Sequence, residues 1–336
     1  MKSLLSSLTV YPYGVVAAFA LIAFLGISIY FAYLMKQENK RIRTDVCTVI
    51  KGFAAGLPIG LILSRLIWVV GNYYDYSLKE PLEIISISLG GLSMWGFILG
   101  FWLACTLVTR LSGASSAHTM DAFTPGFMLF IAIMRFAEVF TGQGIGRIVS
   151  YDFLSTPLTA VYDTYHEARF AVFQFEGVYA LILFFIVFFA LKKCIKSHSN
   201  PGGDLWRLAV GAYAFLQIVF ESMRDDDFIR FGFVRVSQAI SILFLIILAF
   251  YFIVRLKKKH ILGANVLWMP VLNLAAAALV IYEEFQVDGA IHAEINYLIM
   301  FIGSLLMYAP SLYAVTALSR HKKAKQRRLK AGKRRR

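Results

Sequence analysis

Residues 123–147 read FTPGFMLFIAIMRFAEVFTGQGIGR. An apolar run long enough to enter a bilayer is followed at once by Arg135, Glu138, Gln143 and Arg147. Ionisable side chains inside or at the edge of a membrane are expensive, even after snorkelling and local water defects. Several in succession, ahead of a glycine-rich turn, predict an anion site at a membrane boundary rather than lipid-facing surface. The chain is therefore read as a membrane protein, and the first question is how often it crosses.

Composition supports the same class. Of 336 residues, 59% are hydrophobic and 16% charged, with a mean hydropathy of +0.66. That lies outside ordinary soluble domains. A crossing takes about 20 apolar residues, and the pattern predicts spans at 13–35, 52–70, 89–109, 123–140, 175–191, 205–223, 234–254, 263–283 and 295–318. The expected fold is all-α, a polytopic bundle of about nine transmembrane helices. Its organisation is a seven-span domain (1–258), two further helices (259–319) and a basic tail (320–336).

Of the 34 Lys and Arg, 25 fall in alternate connections: five from Lys36 to Lys51, Arg110, four from Lys192 to Arg207, four from Arg255 to Lys259 and the eleven of residues 320–336. The positive-inside rule then puts the N-terminus outside and the C-terminus in the cytoplasm, a parity that nine spans satisfy. The net charge of +14 is mostly topology. The tail HKKAKQRRLKAGKRRR is read as lying against anionic lipid or as a stop-transfer signal, not as a nucleic-acid site. The first apolar run is too long for a cleavable signal peptide, and only Lys2 precedes it. Cys47, Cys105 and Cys194 have no C-x-x-C spacing and predict no disulfide framework. No metal or other cofactor is expected, and neither a repeat nor a P-loop is present.

The outward connections are longer, aromatic and mixed in charge. Tyr73, Tyr74 and Tyr76 suit an interfacial belt. Within the spans, Arg135 and Glu138 are three apart and share one helix face. Tyr213, Gln217 and Glu221 follow at spacings of four, with Arg224 next on that stripe. Arg65 sits in the second span. Gly90, Gly91, Gly96 and Gly100 allow close approach of a neighbouring backbone or a ligand. Ion pairs such as Arg135–Glu138 and Glu221–Arg224 can serve packing alone. Two of them at one depth, with Arg65 and Arg169 added, predict a surplus of guanidinium. Its planar fork suits phosphate, and in a membrane the available phosphate is a lipid head group.

In order, spacing and topology the chain resembles the prolipoprotein diacylglyceryl transferase family, from Tyr11 to Lys258. Tyr11-Pro12-Tyr13-Gly14 stands at the family's aromatic-Tyr-Gly, and Pro81-Leu82-Glu83-Ile84 at its Pro-Leu-Glu-Ile. Gly90-Gly91-Leu92-Ser93-Met94-Trp95-Gly96 follows. The signature Gly-Arg-x-Gly-Asn-Phe-x-Asn-Gly-Glu falls on Met134 to Gln143, and the later Gly-Arg on Gly146-Arg147. Arg169 to Glu176 stands at Arg-His-Pro-x-Gln-Leu-Tyr-Glu. Gln217 to Asp227 stands at Arg-Phe-x-x-Glu-Phe-x-Arg-x-x-Asp, and Ser237-Gln238-Ala239-Ile240-Ser241 at the motif after it.

Three positions depart. Trp95 replaces a histidine linked to the chemistry, Glu138 an asparagine, and Gln217 a functional arginine. Tryptophan takes no proton and glutamine holds no charge, so the chemistry is either redistributed or changed. His166 is the nearest replacement histidine.

The resemblance implies a multi-pass enzyme of the bacterial cytoplasmic membrane. It would move a diacylglyceryl group from phosphatidylglycerol to the lipobox cysteine of a prolipoprotein signal peptide, releasing glycerol phosphate. On that reading Arg135, Glu138, Glu221 and Tyr13 are the catalytic candidates. Arg135, Arg65, Arg169, Arg224, Gln143, Gln217, Tyr213, Gly91 and Gly96 would line the head-group site. A monomer is expected, with membrane lipid as its other partner. Two alternatives stay open: a homologue without turnover that binds lipid or signal peptides as a scaffold, and a transporter, which lacks the expected inverted repeats.

Overall fold

The computed structural model describes residues 12–39, 42–72, 91–149, 154–162, 165–198, 201–225, 230–231, 234–259, 261, 268–287 and 293–334. The Tyr73–Tyr76 belt, the Pro81–Ile84 motif, Gly90, Asp226 and Asp227 lie outside them. Among the described residues nine long helices run in chain order: α1 (Pro12–Glu38), α2 (Val46–Gly71), α3 (Met94–Leu111), α4 (Ser116–Ala137), α5 (Val172–Lys196), α6 (Asp204–Met223), α7 (Val236–Lys258), α8 (Trp268–Val287) and α9 (Ala293–Arg334). Among the described residues eight are long and apolar enough to cross a membrane. The chain is a polytopic helical membrane protein.

The ninth helix, α6, falls short of that standard although a span was expected there. Asp204, Arg207, Gln217 and Glu221 lie along its 20 residues. Helix starts also differ from the apolar runs. Ser93 caps α3 by accepting from the Gly96 amide. The polar first turn of α4, Ser116 to Asp121, belongs to the helix although hydropathy alone excludes it. At the start of α2, Asp45 accepts from the hydroxyl and amide of Thr48 at 2.6 and 2.8 Å. Those bonds, the hydroxyl's first, hold its carboxyl below the usual carboxylate range.

Two compact units cut across the chain: residues 1–209 with 223–237, and residues 210–222 with 238–336. The core of the first is aromatic. Phe24 of α1, fully buried, meets the rings of Phe53, Phe101, Phe123, Phe127 and Phe130 at centroid distances of 5.2 to 5.9 Å. Edge-to-face and tilted pairs of this kind add to plain burial. Between α2 and α3 the approach is backbone on backbone. A Cβ on Gly96 would lie 2.5 Å from the Leu63 carbonyl oxygen, and one on Gly100 2.6 Å from that of Ile59. Ser64 Oγ donates to the Ser93 carbonyl at 2.7 Å, and the Ser93 amide returns a bond to the Ser64 carbonyl.

The long connection after α4, expected as loop, contains a small sheet. Strands β1 (Ile145–Ile148) and β2 (Ala160–Tyr162) flank β3 (Ala168–Ala171), all pairs antiparallel. A two-residue hairpin, β4 (Arg230–Phe231) and β5 (Val234–Arg235), precedes α7.

At the opposite end of α4, Asp121 is fully buried and accepts from the amides of Gly203 (2.6 Å) and Trp206 (3.2 Å). It supplies from another helix the cap that the start of α6 needs. Asp121→Ala is expected to cost about 2 kcal/mol by leaving buried amides unmet. In detergent that should lower the melting temperature by roughly 4–8 °C. Asp121→Asn, which keeps an acceptor, should recover most of the loss.

In the second unit, α8 and α9 pack through Ala276, Ala277 and Gly303, with Val280 against Gly303. Asn273 reaches across to the Met307 carbonyl at 2.7 Å. The ring of Phe215 on α6 stacks on Tyr308 of α9 at 5.8 Å.

Candidate functional site

Arg135 leaves the last turn of α4, 6% exposed. Its Nη1 donates to Glu138 Oε1 at 2.6 Å, and its Nε lies 2.5 Å from Glu176 Oε2 on α5. The three-residue spacing brings Glu138 to Arg135, as expected; Glu176 arrives from a separate helix. One guanidinium is thus bracketed by two carboxyl groups. The anticipated surplus of cation is reversed at this point.

Local backbone explains the arrangement. After α4 the chain tightens into a 3-10 turn, Glu138–Phe140, with the Thr141 and Gly142 amides returning to the Glu138 carbonyl. Gly144 then adopts φ of +72°, a conformation that favours glycine. A Cβ there would stand 2.7 Å from Glu138 Oε2 and 2.8 Å from Phe173 Cβ. The glycine-rich turn therefore closes around a carboxyl group. On the other side, a Cβ at Gly177 would lie 2.8–2.9 Å from three atoms of the Phe136 ring. Arg135 and Glu176 are each the neighbour of one of those packed residues, so helix packing sets their separation.

Tyr13, in the first turn of α1, is half-buried and within electrostatic range of Glu138 and Arg135. Gln143 lies half-buried on the turn.

Arg65, Arg169 and Arg224, the other arginines expected at the site, have partners of their own. Arg65, buried, stacks on Trp68 at 5.0 Å and donates to the Gly91 carbonyl at 3.1 Å. Gly91 and Gly96 are filled by protein: by Arg65 and Trp68 at the first, and by the α2 backbone at the second. Arg169 of β3 pairs with Asp225 at 2.7 Å and stands 3.8 Å from Glu167. Arg224, 1% exposed, bridges to Gly146, and its carbonyl accepts from Arg235 Nη2 at 2.5 Å. Trp95 is buried, whereas His166 is exposed on the turn before β3 with φ of +60°.

In the second unit Gln217 donates to Glu221 at 2.7 Å, both buried, with Tyr213 one turn earlier. Gln238 of α7 donates to the Ile218 carbonyl at 3.2 Å and to Glu284 of α8 at 2.8 Å. Among the described residues no group of three or more His, Cys, Asp or Glu is placed to hold a metal ion.

Sequence reasoning missed Glu176 and Arg235. Glu176 had one signal, its place at the end of the Arg169–Glu176 motif. Arg235, 2% exposed, had none.

Comparison with known proteins agrees with the motif order. The chain is similar to proteins named phosphatidylglycerol–prolipoprotein diacylglyceryl transferase. That of Clostridium kluyveri is 28% identical over 251 residues, covering 74% of this chain and 92% of the relative. That of Enterococcus faecalis is 28% identical over 252 residues, covering 72% and 87%. That of Lactiplantibacillus plantarum is 25% identical over 243 residues, covering 71% and 82%. The family description matches residues 2–254, which takes in the Arg135 cluster and the Gln217–Glu221 pair and stops before α8. With eight apolar helices among the described residues and three-quarters of its length inside that match, this chain belongs to the prolipoprotein diacylglyceryl transferase family.

Proposed function

We propose that this protein transfers a diacylglyceryl group from phosphatidylglycerol to the lipobox cysteine of a prolipoprotein signal peptide. The observation that carries the reading is the family match across residues 2–254. The buried Arg135–Glu138–Glu176 cluster within that match supports it. The setting is the bacterial cytoplasmic membrane; with α6 counted as a ninth crossing beside the eight apolar helices, the positive-inside rule puts the N-terminus outside and the C-terminus inside. Residues 1–258, helices α1 to α7, carry the chemistry. Residues 259–319 and the basic tail 320–336 are an addition.

In the reaction the thiol sulfur bonds to the glyceryl carbon that carries the phosphate ester. The carbon–oxygen bond breaks, and glycerol phosphate leaves with the bonding pair. Thiolate is the nucleophile, so a carboxylate, Glu138 beside Arg135, takes the thiol proton. Arg135 is the phosphate anchor and stabilises the charge that develops on departure. The test uses the full-length protein in vesicles containing phosphatidylglycerol labelled in its acyl chains, with a lipobox peptide. Label is expected on the peptide, and none on a Cys→Ser peptide. Growth of a strain depleted of its own transferase is the matching result in cells.

Trp95 and the Gln217–Glu221 bond favour a second reading. Neither tryptophan nor glutamine can replace the proton carrier and the cation that the family pattern puts there. On that reading the protein binds lipid or signal peptide as a scaffold, without turnover. Saturable peptide binding with no transferred label would select it.

A further inference from the structure

We infer that the two carboxylates on Arg135 have different tasks: Glu176 positions the guanidinium, and Glu138 is a resting counter-ion that the head-group phosphate displaces. The inference rests on the proposed lipid site, and it adds how lipid binding releases the base.

The asymmetry between the two acids is structural. Glu176 is 1% exposed, inside the regular helix α5, beside the Gly177–Phe136 contact that fixes the helix spacing. The Glu138 side chain is 12% exposed and sits on a three-residue 3-10 turn beyond the helix end. Among the described residues, one hydrogen bond from Arg135 Nη1 holds its Oε1, and Oε2 has no hydrogen-bond partner. Oε2 lies over Gly144, whose missing Cβ makes the space it occupies. A side chain held by one charge-assisted bond on a short turn is the one that yields to a competing anion.

Glu176 holds the guanidinium through Nε and Glu138 through Nη1, two different nitrogens. A phosphate that takes over Nη1 leaves the Nε contact intact, so the plane of the guanidinium is kept. The displaced Glu138 carboxylate is then freed from its cation at the moment a lipid is bound. It accepts the thiol proton, the sulfur–carbon bond forms, and the phosphate ester bond breaks. Lipid binding thus precedes activation of the thiol, and an unloaded enzyme does not hold a free base.

The two roles predict opposite effects on lipid affinity. Binding of a short-chain phosphatidylglycerol to the purified full-length protein would be measured by calorimetry, beside transfer kinetics. Glu138→Gln removes the competitor: Kd should fall about tenfold, the scale of one charge-assisted hydrogen bond. In the same variant kcat should fall by roughly a hundredfold or more, the scale of a lost base. Glu176→Gln should raise Kd by about tenfold.

Should Glu138→Gln fail to accumulate, Glu138→Asn carries the same prediction. An unchanged or weaker Kd in the Glu138 variants overturns the counter-ion role. An unchanged Kd in Glu176→Gln overturns the positioning role. A protein that shows these opposed Kd changes but transfers nothing keeps the counter-ion exchange and fails only as an enzyme.

Discussion

Arg135→Ala should abolish transfer, with labelled peptide falling to the level of vesicles without protein. Two losses combine. The phosphate loses its anchor, and Glu138 and Glu176 are left facing each other without their cation. Removing one partner of a buried ion pair typically costs about 3–5 kcal/mol, so part of the effect would be on the fold. The conservative variant separates the two. Arg135→Lys keeps one positive charge between the carboxyl groups and should insert and accumulate normally. An ammonium lacks the rigid planar fork, so it cannot keep separate donors on Glu176 and the phosphate in one fixed geometry. Transfer in Arg135→Lys is expected to drop by about a hundredfold, the cost of one lost electrostatic contact in a transition state. Near-normal transfer by the lysine variant would remove Arg135 from the phosphate site.

The second large effect is on stability. Gly96→Val places a branched side chain where a Cβ alone would lie 2.5 Å from the Leu63 carbonyl oxygen and 2.6 Å from Ser64 Cα. Backbone cannot rotate away as a side chain can, so α2 and α3 must separate. The paired Ser64–Ser93 bonds stretch with them. Overpacking that forces backbone shifts costs about 3 kcal/mol or more. That corresponds to a fall of roughly 10 °C in melting temperature. Little protein should reach the membrane at growth temperature. Gly14→Val is the control: nothing lies within 4 Å of a Cβ there, and the melting temperature should not move. Equal behaviour of the two variants would contradict the close α2–α3 approach.

How much of this was legible in the chain depends on the range of the interaction. The apolar runs gave the helices because a span must satisfy its own backbone within one segment. Arg135–Glu138 and Gln217–Glu221 were legible because helical spacing makes them neighbours. The sheet of β1, β2 and β3 was not: its strands are three or four residues long and pair across intervening chain. Glu176 and Asp121 were overlooked for the same reason. Each is defined by a partner dozens of residues away, and neither changes the hydropathy of its own helix. Gly96 was read as permitting either a backbone or a ligand, and the fold fills that face with backbone. The start of α4 was misjudged because its polar first turn is buried by other elements rather than by lipid.

The Asp121 cap also bears on biogenesis. Of the nine long helices among the described residues, α6 is the one that is not apolar enough to count as a crossing, and the amides of Gly203 and Trp206 at its start take their acceptor from Asp121 of α4. The helix that offers this acceptor precedes α6, with Asp121 standing 82 residues before Gly203 in the chain, so it is synthesised first. The expected consequence is that α6 settles against a predecessor, so that the order of synthesis assists assembly.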